Sequence, residues 1–264
     1  MMKTMYHTLL VMLLVAASAC NIIAPEHDPI TYGETYIANQ LSIDKACYKP
    51  GDAVQFTINS LPAGDVKVRY QHLGKILEEK PVTATSWSWT APAEDYQGYM
   101  AELHATVNGK DTVYAAIGID VSSDPKRFPR NGFLSTYGSM SVREIESVIS
   151  DLNRYHINYV QFQDWHWKHH HPLGGSAVQP MDVWTDIISR NCYRSSVQGY
   201  IDAAHRRGMY TLFYNLGYGA LEDFETDGVS REWMLYTDKL HRNLDYHPLG
   251  SPVKSSIYLL HTHN

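Results

Sequence analysis

The chain has 264 residues, 44% of them hydrophobic, and sets 22 Lys and Arg against 28 Asp and Glu for a formal net charge of −6. That is enough apolar material to bury a core in one large or two modest domains, which excludes a disordered chain. The acidic balance offers no basic surface on which a nucleic acid backbone would condense, so no nucleic acid partner is expected.

The first twenty residues read as an export signal rather than as fold. Lys3 gives a positive start, "LLVMLLVAA" is apolar but short for a bilayer span, and small residues precede Cys20 in "SAC". A cysteine at that point predicts a bacterial lipoprotein signal in which Cys20 becomes the lipidated first residue. The expected location is then a membrane-anchored lipoprotein at the cell surface or in the periplasm. Ala17 stands where that pattern most often has leucine, and ordinary signal cleavage without a lipid is the alternative. Cys47 and Cys192 fall in different predicted domains, so free or buried thiols are expected, and a cysteine-based zinc site has too few ligands.

Residues 21–37 show no sustained period and read as a tether. From 38 to 121 short alternating runs such as "AVQFTI", "VKVRYQHL", "WSWTA" and "YMAELHATV" are separated by turn chemistry such as "KPGD" and "LPAGD". About seven such strands predict a β-sandwich of immunoglobulin type. Asn108-Gly109 marks a tight hairpin within it. Residues 122–132 form a Pro-, Gly- and charge-rich linker.

Beyond the linker, over 133–264, the period becomes βα. "FLSTYG", "NYVQFQDW", "MYTLFYNLGYGA" and "SSIYLLHT" read as four strands. Val142, Ile145, Val148, Ile149 and Leu152 lie at helical spacing behind a Ser141/Glu144 cap, and a second helix closes at Gly208. Consecutive parallel strands of this kind fit a (β/α) barrel or a doubly wound sheet. No glycine-rich phosphate loop follows a strand, so no dinucleotide cofactor is expected.

In a barrel the chemistry gathers where strands end. That places Tyr137, then Asp164, Trp165, His166, Trp167, Lys168 and His169, then Tyr214, Asn215 and Tyr218 around one mouth. The 19 Tyr and 6 Trp of the chain point the same way, although such rings also fill cores. Three readings compete for "YVQFQDWHWKHHHPL": a metal site, a sugar platform and a solvated polar loop. His169, His170 and His171 are adjacent, and neighbours in extended backbone point to opposite sides, which makes a poor metal site. Aromatic faces with Asp, Lys, His and Asn beside them are what a sugar ring requires.

These residues resemble a known family. "RFPRNGFLSTYG", "YVQFQDWHWKHHHPL", "YNLGYGALEDFETDGVSREWMLY" and "HPLGSPVKSSIYLL" are similar to the opening barrel segments of glycoside hydrolase family 66, the endo-dextranases and cycloisomaltooligosaccharide glucanotransferases. The resemblance runs over roughly residues 38–260. It implies a sandwich followed by the first half of a (β/α)₈ barrel, a glucan cleft at the strand ends, and retaining chemistry on α-1,6-linked glucan. Dextran or isomaltooligosaccharides are the implied partners, and no cofactor or metal is implied.

Retaining hydrolysis needs a nucleophile and an acid/base about 5–5.5 Å apart. The resemblance puts that aspartate and glutamate on later strands, C-terminal to Asn264, so no catalytic residue is expected in this chain and its own activity is doubtful. Asp164, Asp223, Glu225 and Asp227 are read instead as sugar-binding, solvated or helix-capping groups. The expected function is therefore that of an endo-dextranase-like N-terminal portion. A cyclising glucanotransferase and a non-catalytic glucan-binding surface lipoprotein are the alternatives.

Overall fold

The computed structural model describes residues 31–32, 41–248 and 257–260. The export signal with Cys20 lies outside the described residues, as does most of the tether. Among the described residues, eight strands make the N-terminal part: β1 (Thr31–Tyr32), β2 (Leu41–Ile43), β3 (Ala53–Ile58), β4 (Lys67–His72), β5 (Lys75–Pro81), β6 (Ser86–Thr90), β7 (Gln97–Val107) and β8 (Lys110–Val121). They form a sheet ordered β2-β3-β6 and a second ordered β1-β8-β7-β4-β5. The segment expected as a free tether therefore contributes a short strand, with Thr31 and Tyr32 paired parallel to Thr112 and Val113.

The alternation of apolar residues drives this packing. In β3, Val54, Phe56 and Ile58 are buried while Ala53, Gln55 and Thr57 are exposed, and the inward set joins Val68, Tyr70 and Leu103 of the other sheet in one core. Tyr70 and Trp89 stack across the two sheets with centroids 4.4 Å apart. Asn108 and Gly109 take φ values of 52° and 77° between β7 and β8, the left-handed pair that a tight hairpin turn of this type needs.

The C-terminal part opens with β9 (Asn131–Leu134), α1 (Val142–Arg154), β10 (Tyr159–Phe162), β11 (Val183–Thr185), β12 (Asn191–Tyr193), α2 (Arg194–Arg206) and β13 (Tyr210–Phe213). β9, β10 and β13 pair parallel in the order β13-β10-β9. Ser141 and Glu144 complete a reciprocal capping box at the start of α1. One sheet face, with Val160 and Phe162, joins the core formed with Ile145 and Ile149 of α1 and Val197 and Tyr200 of α2. The other face carries exposed Phe133 and Leu212.

The expected fourth parallel strand takes another role. After β14 (Gly219–Ala220) and β15 (Tyr246–His247), β16 (Ile257–Leu259) pairs antiparallel with both, outside the parallel sheet. Its neighbours explain this: Tyr258 and Leu260 pack on a small core of Ala220, Phe224 and Met234, which is satisfied by a local antiparallel cap. The two parts of the chain meet through Asn153, whose side chain donates to the carbonyl of Ile43 at 2.8 Å, and through Ala46, which packs in the core of the α/β part.

Candidate functional site

The strand ends of the parallel sheet are tied together before any polar group reaches solvent. Beyond β10, the Gln163 N–H donates to the carbonyl of Leu134 at 2.8 Å, and the Tyr214 N–H donates to that of Phe162 at 3.1 Å. Tyr137, expected at the mouth, is buried instead. Its ring stacks on Phe162, and its hydroxyl lies between the carbonyls of Leu134 (2.5 Å) and Gln163 (3.1 Å). Burial pushes its phenol well above the ordinary range.

Asp164 then takes a left-handed backbone, φ 50°, which is uncommon outside glycine but best tolerated by Asp and Asn. The chain turns, and Trp165 enters the core. Its ring lies 4.5 Å from Phe213, its indole N–H donates to the Tyr214 carbonyl at 3.1 Å, and its own carbonyl accepts the Trp184 indole N–H at 2.8 Å. Gly174 permits this arrangement, because a Cβ there would sit 2.8 Å from the Trp184 Cβ and 2.9 Å from its ring.

His166 and His169 are also buried, not lining a mouth. Nε2 of His166 and Nδ1 of His169 are 2.8 Å apart, so the pair shares one hydrogen. Among the described residues, their outer nitrogens, Nδ1 of His166 and Nε2 of His169, have no hydrogen-bond partner. Loss of solvation favours the neutral rings and pulls both pKa values down to about 4.

Lys168 is a strut. Its Nζ lies 2.6 Å from Asp223 and 2.6 Å from Asp227, and 4.3 Å over the ring of Trp167. Burial opposes the ammonium, but the two carboxylates outweigh burial and raise its pKa. Likewise burial raises Asp227, while Lys168 and His170 outweigh it and hold this carboxyl below the usual range. The His170 Nδ1 accepts the Leu221 N–H at 3.1 Å, so the hydrogen sits on Nε2 and is donated to Asp227 at 2.8 Å. His170, Asp223 and Asp227 bring ligand atoms within 4.8 Å of one another. The ammonium of Lys168, however, already stands where a cation between the carboxylates would lie.

What remains open to solvent is narrower than the sequence implied. Trp167 is half-buried, with His171 edge-on to its ring at 5.5 Å, and it walls a cavity of about 340 Å³ shared with Lys168, Leu221, Glu222 and Asp223. Tyr214 is half-buried, whereas Asn215 and Tyr218 are exposed. His170 carries no separate signal in the sequence, where it is one of a run of three histidines. Two aspartates four apart, at 223 and 227, facing a lysine and a histidine was the available signal, but only across some fifty-five residues of chain.

A two-sheet β domain leads into parallel βα units, with an aromatic and charged loop at the carboxyl ends of the strands. The chain belongs to glycosyl hydrolase family 66, whose model matches residues 43–264. Two cycloisomaltooligosaccharide glucanotransferases of Niallia circulans are similar to it. One is 29% identical over 89% of this chain and 25% of its own length, the other 30% identical over 75% and 22%. A crystal structure of a Paenibacillus sp. cycloisomaltooligosaccharide glucanotransferase complexed with cycloisomaltoheptaose superposes with a TM-score of 0.74 at 29% identity, covering 85% of this chain and 34% of that one. The chain thus spans about a quarter of the length of the curated relatives it matches.

Proposed function

We propose that this chain forms one wall of an α-1,6-glucan cleft in an exported enzyme of its family, holding dextran or an isomaltooligosaccharide along Trp167, Tyr214, Asn215 and Tyr218. The observation that carries this is the Trp167 ring. It is held rigid by an ammonium and a histidine and borders a cavity whose far side brings the acidic segment 221–223. A flat ring beside carboxylates offers a pyranose both an apolar face and acceptors for its hydroxyls. Three parallel strands with two intervening helices support reading this part as the opening of a (β/α)₈ barrel, and two sheets sharing one core support the sandwich reading of residues 38–121.

Chemistry at the bond requires a nucleophile and an acid/base on either side of it. Asp223 and Asp227 are both engaged by Lys168 and serve as its counter-ions, so the reactive pair is assigned to other strands of the enzyme. Of the two outcomes open to the family, cyclising transfer is favoured over dextran hydrolysis by the similar proteins, both named for that transfer. Anchoring through a lipid on Cys20 belongs to the same proposal and rests on residues 1–20 alone. Incorporation of a fatty-acid probe that disappears in Cys20→Ser would support it, and incorporation that persists would remove it.

The binding reading is tested by calorimetric titration of the chain with an isomaltooligosaccharide, with an α-1,4-linked maltooligosaccharide of equal length as control. Saturable binding of the first, weakened in Trp167→Ala, is expected. Equal affinity for both sugars, or none for either, would overturn it.

A further inference from the structure

A second cavity, of about 380 Å³, lies in the seam between the β domain and the helices, and none of its lining residues belongs to the strand-end loops. It is lined on one side by Asp44 and on the other by Glu146, Asn153 and Arg154 of α1 and by Arg206 and Arg207 at the end of α2. Two of its three guanidinium groups are paired, since Arg206 and Arg207 both bond the carboxylate of Glu146. The other acid is engaged as well, with Asp44 accepting from the hydroxyl of Tyr48 at 2.7 Å and the N–H of Gln55 at 3.0 Å.

Arg154 is left over. Its Nε and Nη1 are buried and lack a hydrogen-bond partner among the described residues. Asn153, buried beside it, spends its amide N–H on Ile43 and leaves Oδ1 buried without a donor. A guanidinium of a half-buried arginine with two of its nitrogens withdrawn from water and unpaired is costly, and a buried carbonyl without a donor adds to that cost. One occupant relieves both if it brings oxygen acceptors for Arg154 and an O–H for Asn153. Carboxylates and sulfate supply only acceptors at neutral pH, whereas a phosphate that keeps one hydroxyl supplies acceptors and a donor.

We propose that this seam cavity is a binding site for hydrogen phosphate, as the free ion or as the singly protonated head of a monoester. Planar guanidinium groups match such oxyanions in a bidentate manner. Because β2 and β3 contribute one wall and the two helices the other, an occupant bridges the two parts of the chain and stabilises their docking.

The experiment is thermal unfolding of the full chain titrated with inorganic phosphate, with glycerol phosphate as monoester and with sulfate at matched ionic strength. The unfolding midpoint should rise saturably by a few degrees with phosphate, and less with sulfate. A matching rise with glycerol phosphate places the monoester in the cavity, and its absence restricts the site to the free ion. Arg154→Ala should lose the response. Because that variant could fold poorly, Ser150→Glu serves as the second: it lines the same cavity one helical turn before Arg154 and should supply the missing anion from the chain itself. It should be at least as stable as the parent and indifferent to phosphate. Equal rises with sulfate and phosphate, or an undiminished phosphate response in Ser150→Glu, would overturn the site.

Discussion

The indole N–H of Trp165 donates to the carbonyl of Tyr214 at 3.1 Å, so a residue of the loop after β10 is bonded to the residue that follows β13. Trp167, two positions on, faces the open cavity. Near neighbours in one loop thus divide the work: one fastens the strand ends, and the other presents a ring.

That division predicts unequal alanine substitutions. Trp165→Ala should cost about 3–5 kcal/mol of stability, the range for deleting a large buried aromatic. Trp167→Ala should cost less stability, about 1–2 kcal/mol, because its ring is only partly packed against the core, and should weaken isomaltooligosaccharide binding by roughly tenfold, about 1.4 kcal/mol. Chemical denaturation and calorimetry on the two variants check this, and equal effects on both readouts would contradict it.

Gly174 is required by contact. A methyl group there meets the Trp184 side chain at 2.8–2.9 Å, and that indole is held by its bond to the Trp165 carbonyl. Gly174→Ala should therefore destabilise by about 1–3 kcal/mol through overpacking, with a change in tryptophan near-ultraviolet circular dichroism as its signature.

Removing the strut charge should matter because Lys168 is buried between its two counter-ions. Lys168→Met leaves Asp223 and Asp227 facing each other without a cation. A loss on the order of 1–3 kcal/mol is expected, together with an upward shift of the Asp227 carboxyl. Both are measurable by urea unfolding and by carboxyl titration in carbon-13 spectra. Asp227→Asn in the same background should restore part of the loss by removing one of the two uncompensated charges.

The histidine pair makes stability depend on pH in a defined window. Both folded values, about 4, lie below the ordinary 6.5, so the unfolded chain takes up protons first as pH falls. Their contribution is whole above about pH 6.5 and is lost progressively towards pH 4. Asp227 has the opposite kind of group but the same direction of loss. Its carboxyl is held below 3.8, so its contribution survives until the pH falls further. Urea unfolding across this range should show the first decline before the second, and His169→Gln should flatten the first. A remaining slope is expected from His156, whose pKa burial also lowers.

Much of the architecture could be read from local pattern. Alternation marked β3 and β6, Ser141 and Glu144 marked the start of α1, and Asn108-Gly109 marked a hairpin, because each signal acts over a few residues of backbone. The destination of "SSIYLLHT" could not be read this way. A short apolar strand fits a parallel barrel or an antiparallel cap equally well, and its choice rested on Phe224 and Met234 offering it a core. The site followed the same rule. Residue types at strand ends raise an expectation of sugar chemistry, but which of them face solvent depends on partners 49 positions away for Trp165 and 59 for Lys168. Composition and periodicity state what a segment can do, whereas burial and pairing depend on which distant surface the fold brings against it. Tyr137, Trp165, His166 and His169 are buried on that account, and Trp167 is left bordering the open cavity.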